Sequence, residues 1–431
     1  ETKTTARKQT GSFYTPREIV NYMVDESLIA YFNGKTDIDE ENLRDLFQYT
    51  DEEHKLNSNQ VEELVNALYE CKILDPACGS GAFPMGVLQQ LVHILKKVDP
   101  ENIHWKKIQQ ENASNEIQKV LDIEDKDDRE TRLIEINNAF DITKNRPDYA
   151  RKLYLIENCI YGVDIQPIAI QISKLRFFIS LVVDQKNKFE DDNFGVIPLP
   201  NLETKFVTAN TLIGINRPSR QLSISDTVEI RKLKEELRLC RHKIFSAKTK
   251  KTKQKYRKID KEKRQAIAEE LKNNGWNNDD ADKLANWDPY DQNASSPFFD
   301  PEWMFGLERE NDNLDLTLGS GYFDIVISNP PYKEISDKEE KILFQNNYNE
   351  VLSGHYDLYI FFFKKGIDLL VKDGILAYIT PHTFIIYSQF INLRKWLLKN
   401  TSIIEITDRI ESIFDSAVVD NSITLLSKNN Q

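Results

Sequence analysis

The stretch "KILDPACGSGAFPMGVLQQLVHILKK", Lys72–Lys97, changes character twice. A short apolar run, Ile73 and Leu74, stops at Asp75. A turn of small residues follows, through Gly79 and Gly81. Val87, Leu88, Leu91, Val92 and Leu95 then recur at helical spacing. Strand, Gly-rich turn and helix make the first half of a β-α unit. Glycines there let the backbone come close to a ligand at a helix N-terminus, although an ordinary tight turn has the same composition. No GK[ST] follows, so a nucleotide triphosphate loop is poorly supported.

The alternation repeats outward from this stretch. "YLIENCIYGVDIQPIAIQISKLRFFISLVV", Tyr154–Val183, reads as a strand ending at Asp164 and then a long apolar helix. "KFVTANTL" reads as a third short strand. "FDIVISNPP", "ILAYITP", "SIIEITDRI" and "NSITLLSK" are further strands. "HYDLYIFFFKKGIDLLVKDG" reads as a helix ended by Gly374, and "YSQFINLRKWLLKN" as another helix. Near the start, "TPREIVNYMVDESLIAYF" gives a helix after a short FYTP turn, and "VEELVNALYE" a second. Strands alternating with helices predict an α/β fold, a doubly wound, mostly parallel sheet with helices on both faces.

Two stretches break the rhythm. Residues 99–150 are charged and Asn-rich and read as a helical insertion; 215–318 form a second insertion. The expected organisation is 1–70, an N-terminal helical segment with the FYTP turn; 71–214, the first part of the sheet; 215–318, the charged insertion; and 319–431, the second part of the sheet. Within the second insertion, residues 231–264 carry a net charge of about +12, counting Lys and Arg against Asp and Glu. Such a run is most simply a solvated helical hairpin; contact with a nucleic-acid backbone is the sharper alternative. The polar stretch after it, "NNGWNNDDADKLANWDPYDQNASSPFFDPEWMFG", reads as a loop with local packing.

The 431-residue chain, 40% hydrophobic, can bury a large core and suggests two or three structural units. No apolar run approaches the roughly 20 residues of a membrane span, and the polar N-terminus lacks a signal peptide, so a cytoplasmic, non-membrane location is expected. The absence of a starting Met suggests a fragment or a processed chain. Cys71, Cys78, Cys159 and Cys240 form no CxxC pair and read as free thiols. The histidines show no HxH or HExxH, so no metal site is expected. A net charge of -12 argues against a generally basic surface but leaves a local basic face open.

"FDIVISNPPY", Phe323–Tyr332, ends a strand on a stiff polar corner. A planar amide acceptor (Asn329), a proline-held carbonyl (Pro330) and an aromatic plate (Tyr332) stand where open α/β sheets bind ligands. Two acceptors can hold the two hydrogens of an amino group, and the ring can stack on the flat group that carries it. Asp164, at the end of its strand, is placed to bind ribose hydroxyls. Its distance from the Gly-rich turn is several times the usual interval of about 20 residues, which the 99–150 insertion explains.

"DPACGSG" with "NPPY" resembles the S-adenosylmethionine-dependent amino-methyltransferases, and the upstream "FYTP" narrows the likeness to adenine-N6-specific DNA methyltransferases. The order is similar to the methyltransferase region of type IIG restriction-modification enzymes and related phage-defence proteins. The resemblance implies a Rossmann-like class I methyltransferase fold, S-adenosyl-L-methionine as cofactor and double-stranded DNA with a flipped-out target base as partner. It implies that Tyr14, Thr15 and Pro16 lie over the methionine part of the cofactor, and that Asp75, Ala77, Gly79 and Gly81 line it. Asp164 would take the ribose, Ile165 would flank the adenine, and Asn210 would read its edge. Asn329 and Pro330 would orient the target amine, with Asn329 also beside the cofactor. Tyr332 would stack on the extruded base, and Phe414 is a second candidate base contact, with core packing as its alternative. In this family a nuclease domain usually precedes FxTP and a target-recognition domain follows the last strands; both are expected to be missing from this chain.

Two other readings share these motifs. Protein-glutamine and RNA amino-methyltransferases also carry NPPY, and a non-catalytic, cofactor-gated scaffold of a defence complex would keep the loop. "LETK", 202–205, contains the E-x-K of many nuclease sites, but without a partner Asp on a separate strand it is a motif without its context.

Overall fold

The computed structural model describes residues 15–119, 134, 136–141, 145–186, 190, 200–215, 228–247, 249–307, 321–410 and 420–429. Its centre is a sheet of seven strands: β1 (Ile73–Asp75), β2 (Ile160–Asp164), β3 (Phe206–Thr208), β4 (Phe323–Ser328), β5 (Leu370–Pro381), β6 (Thr401–Ile410) and β7 (Asn421–Lys428). Their order is β3-β2-β1-β4-β5-β7-β6. β1 to β5 are parallel, and β7 runs antiparallel between β5 and β6. The fold is therefore the α/β, mostly parallel sheet that the alternation predicted.

Period-two alternation divides the core between two faces. Ile73, Ile160, Ile325 and Ile375 pack on one side with the helices Arg17–Lys35, Ala82–Val98 and Pro167–Val182. Leu74, Val163, Val326 and Leu376 pack on the other, with the helix Leu358–Leu369 and the aromatic segment near residue 300. After β1 the chain adds β2 and β3 to one side of it; β4 and β5 are added on the other. The connections leaving β1 and β4 thus run in opposite directions, which makes their carboxyl ends a switch point, the place where sheets of this kind take ligands.

Two expectations need correcting. The helix that was to end at Gly374 stops at Leu369, and β5 already begins at Leu370. Leu370 pairs with Phe323, and pairing resumes at Ile375 with Ile325. Between them Asp373 takes φ 59°, so the "VKDG" segment is an irregularity inside the strand. A side chain on Gly374 would come within 3.0 Å of the Val371 carbonyl, which is why a glycine stands there.

The expected aromatic loop after residue 274 instead contains helices Asn278–Asn286 and Pro301–Phe305. Asn277 and Asp300 cap them by accepting from Asp279 N and Trp303 N, and Gly306 ends the second in a left-handed turn. Trp303, Met304 and Phe305 are buried against the sheet. The basic stretch is a pair of packed helices, Val228–Ser246 and Lys250–Asn273. Its seam is an ion cluster: fully buried Asp260 accepts from Arg241 Nε at 3.0 Å and from Arg264 Nε at 2.7 Å.

Candidate functional site

The Gly-rich turn is held by hydrogen bonds that leave one side open. Cys78 N donates to Val163 O at 2.8 Å, tying the turn to β2. Gly79 N donates to Asp164 Oδ2 at 2.9 Å, and Gln166 N to Asp164 Oδ1 at 2.8 Å. Thr211 Oγ1 donates to Pro76 O at 2.7 Å and Ser173 Oγ to Gly79 O at 3.0 Å. Gly79 and Gly81 have φ of 52° and 79°, values that side chains disfavour. A Cβ on Gly81 would meet Ser173 Oγ at 2.8 Å, whereas one on Gly79 would face open space. Gly81 then starts the helix Ala82–Val98.

Asp75 is buried at the carboxyl end of β1. Its Oδ1 accepts from Ala77 N at 3.1 Å and from Ser328 Oγ, on β4, at 2.7 Å. Burial pushes this carboxyl up to about 7, the hydrogen bonds from Ser328 and Ala77 pull it back, and Asp164 adds a push of its own. Burial also raises Asp164, against the pull of the Gln166 and Gly79 N–H groups.

Asn329 stands at the corner after β4. Its Nδ2 donates to Thr15 Oγ1 at 3.1 Å, so Thr15 of the FYTP motif and the NPPY corner meet directly. Its Oδ1 is buried with no hydrogen-bond partner among the described residues. Tyr332 is half-buried: its hydroxyl donates to Ile379 O at 3.1 Å, and its ring meets Tyr359 edge-on at 6.4 Å. Burial raises that phenol well above its ordinary range.

The Gly-rich turn, Asp75 and Asn329 surround one cavity of about 370 Å³, within the size range of small-molecule sites; Tyr332 is not among its lining residues and packs against the core beside it. Thr15, Asp75, Ala77, Gly79, Asp164 and Ile165 line it, as do Asn210 and Asn329. Ile165 is 57% exposed, a large aliphatic left uncovered at the wall. The cavity brings together most residues the sequence singled out. Gly81 acts behind the turn, and Pro16 caps the Arg17–Lys35 helix. Pro330 is buried, and Pro331 is the proline on the cavity wall. Tyr14 and Phe414 lie outside the described residues.

A family model described as the Eco57I restriction-modification methylase matches residues 158–414, more than half of the chain. The chain belongs to that family. The match runs from just before β2 past the NPPY corner. A curated relative from Methanocaldococcus jannaschii, RM.MjaORFECS2P, named as a type II restriction enzyme and methyltransferase, is 25% identical over 98% of this chain. The chain spans about a third of that relative's length, 36%. Type II methyltransferase M.AccI of Acinetobacter calcoaceticus is 31% identical over 25% of this chain and 21% of its own. Among solved structures, the DrdV–DNA complex aligns over 98% of this chain and 27% of its own at 14% identity, TM-score 0.39. The EcoKI M protein aligns over 93% and 53% at 10% identity, TM-score 0.36.

Several residues in or behind the wall of this family member's cavity escaped the sequence reading. Ser328, Thr211 and Ser173 are lone hydroxyls with no periodic or motif signal. Leu358 and Phe362 come from a helix with no site signal, and Phe344 from a stretch that the sequence reading passes over; all three line the cavity, as do Lys333 and Glu340. Glu203 of the E-x-K is buried beside Arg257 at 3.5 Å. Among the described residues no cluster of three or more His, Cys, Asp and Glu could hold a metal, and no helix is long and apolar enough to cross a membrane.

Proposed function

We propose that this chain transfers a methyl group from S-adenosyl-L-methionine to the exocyclic N6 amino group of adenine in DNA. The observation that carries the reading is Asn329, a residue of the cavity wall that also holds the Gly-rich turn and Asp164, whose buried Oδ1 has no donor among the described residues. A buried unpaired acceptor is costly unless a ligand completes it, and an –NH2 group supplies the missing hydrogen.

The residues present fit the cofactor. The open side of Gly79 admits close approach, the Asp164 oxygens each keep a second lone pair for ribose hydroxyls, and Ile165 offers an apolar face to a flat ring. Pro331, Leu358 and Phe362 extend that apolar wall. The cofactor's sulfonium methyl is already activated, so no covalent enzyme intermediate is needed. The protein's part is positioning. Asn329, held by Thr15, and the Pro330 carbonyl would take the two amine hydrogens and point the nitrogen lone pair at the methyl. A base must leave the duplex to reach this corner, and Tyr332 would replace part of its lost stacking.

Calorimetry with S-adenosylmethionine in the presence of a chelator tests the cofactor: binding is expected, and an absolute need for a divalent ion would contradict it. Labelled cofactor with the full-length enzyme tests the substrate. Label in N6-methyladenine of duplex DNA is expected; label in protein or RNA would assign the site to another amino-methyltransferase.

A further inference from the structure

Ser328 is fully buried at the end of β4, one residue before Asn329. Its hydroxyl donates to Asp75 Oδ1 across the switch point, between residues 253 positions apart in sequence. Asp75 lines the cavity, and its hydrogen-bond partners among the described residues are a loop N–H and this one hydroxyl. The bond therefore joins the turn that would hold the cofactor to the corner that would hold the amine.

We propose that Ser328 is a positioning residue: its hydroxyl holds the Asp75 carboxylate in the cavity wall and, through that bond, fixes the corner on which Asn329 sits. This rests on the cofactor reading above. The cofactor carries an ammonium and a sulfonium, so the ionised form of Asp75 is the one that favours it. Burial opposes that form and brings the carboxyl to about 7, while the Ser328 hydrogen bond supports it. The other groups acting on Asp75 are few. Asp164 on β2 repels its charge. Cys78 on the same turn and Tyr378 on β5 are both raised well above their ordinary ranges by burial, and stay neutral near pH 7. Among the described residues no cation is one of the groups that shift it.

The sign follows. Loss of the hydroxyl removes support for the carboxylate, so Asp75 ionises at higher pH in Ser328→Ala, and cofactor affinity follows it. Calorimetry with S-adenosylmethionine from about pH 6 to 9 reads this. The wild-type affinity should rise with pH through about 7. Ser328→Ala should be roughly threefold to tenfold weaker at pH 7, the scale of one unit of pKa, and recover toward pH 9. Ser328→Thr should restore the wild-type profile, and Asp75→Asn should flatten it. A merely structural loss lowers affinity equally at every pH, and an unmoved midpoint in Ser328→Ala would overturn the proposal. Turnover by the full-length enzyme at saturating cofactor and high pH reads the second half. Ser328→Ala should lower kcat with KM for cofactor little changed; an unchanged kcat would sever Ser328 from Asn329. If the wild-type chain binds no S-adenosylmethionine at any pH, the cofactor reading itself fails.

Discussion

Asp164 and Asn329 face one cavity, and their side chains are in opposite states. Asp164 accepts on one oxygen from Gly79 N and on the other from Gln166 N, so its orientation is fixed in the protein alone. Asn329 donates its amide N–H to Thr15 and, among the described residues, has no donor for its buried Oδ1. An unpaired buried acceptor costs about 1–3 kcal/mol. The contrast separates a wall that holds its shape before any ligand arrives from a corner finished only by one. Substitutions on the first should be felt in folding and cofactor affinity, and those on the second in the reaction.

The sharpest break is Asn329→Ala. If Oδ1 orients the reacting amine, transfer by the full-length enzyme should fall by a factor of about 100 or more, while cofactor affinity stays within a few fold. If the corner merely ends a strand, methylation would fall only with the amount of folded protein. Methylation and melting temperature measured on one preparation tell the two apart.

Asp164→Ala attacks the finished wall. It should weaken S-adenosylmethionine binding by about 1–3 kcal/mol, the scale of hydrogen bonds lost to a buried partner. It should also lower the melting temperature, because Gly79 N and Gln166 N lose their acceptor. An unchanged affinity would remove Asp164 from the ribose. Gly81→Ala should act on folding more than on the ligand. Its φ of 79° is strained for alanine, and the new Cβ meets a Ser173 hydroxyl already committed to Gly79 O. About 1–3 kcal/mol of stability should be lost in denaturant unfolding. Gly79→Ala has the left-handed strain and no clash, so it should cost less. Equal losses at the two positions would show that Ser173 simply moves aside.

What could be read from the chain follows from how local the signal is. β1, β2 and β4 are apolar runs cut off by Asp75, Asp164 and Asn329, so strand and ligand-side residue arrive together in sequence. The glycines announce the turn because only that backbone suits glycine so well. The Ser328–Asp75 bond had no such signal: a serine at the end of an apolar run is unremarkable until folding sets β4 beside β1. Leu358 and Phe362 were hidden for the opposite reason, since helical periodicity marks an apolar face without saying whether a core or a cavity lies beyond it. Gly374 misled because glycine ends helices and also fills tight places in strands.

The smallest expected effect tests which wall Tyr332 belongs to. Base stacking needs the ring and not the hydroxyl, so Tyr332→Phe should be nearly silent in methylation. The hydroxyl has its own task, donating to Ile379 O on β5. Its loss should cost about 0.5–1.5 kcal/mol of stability, the net value of one hydrogen bond. Tyr332→Ala removes the ring as well, including its edge contact with Tyr359. If the ring compensates an extruded base, the alanine variant of the full-length enzyme should bind intact duplex less well than duplex mismatched at the target. A mismatch lowers the cost of extrusion and so the need for the ring. Equal weakening on both duplexes, with a lower melting temperature, would make Tyr332 part of the packed scaffold. The corner would then lend the substrate only its amide and carbonyl acceptors.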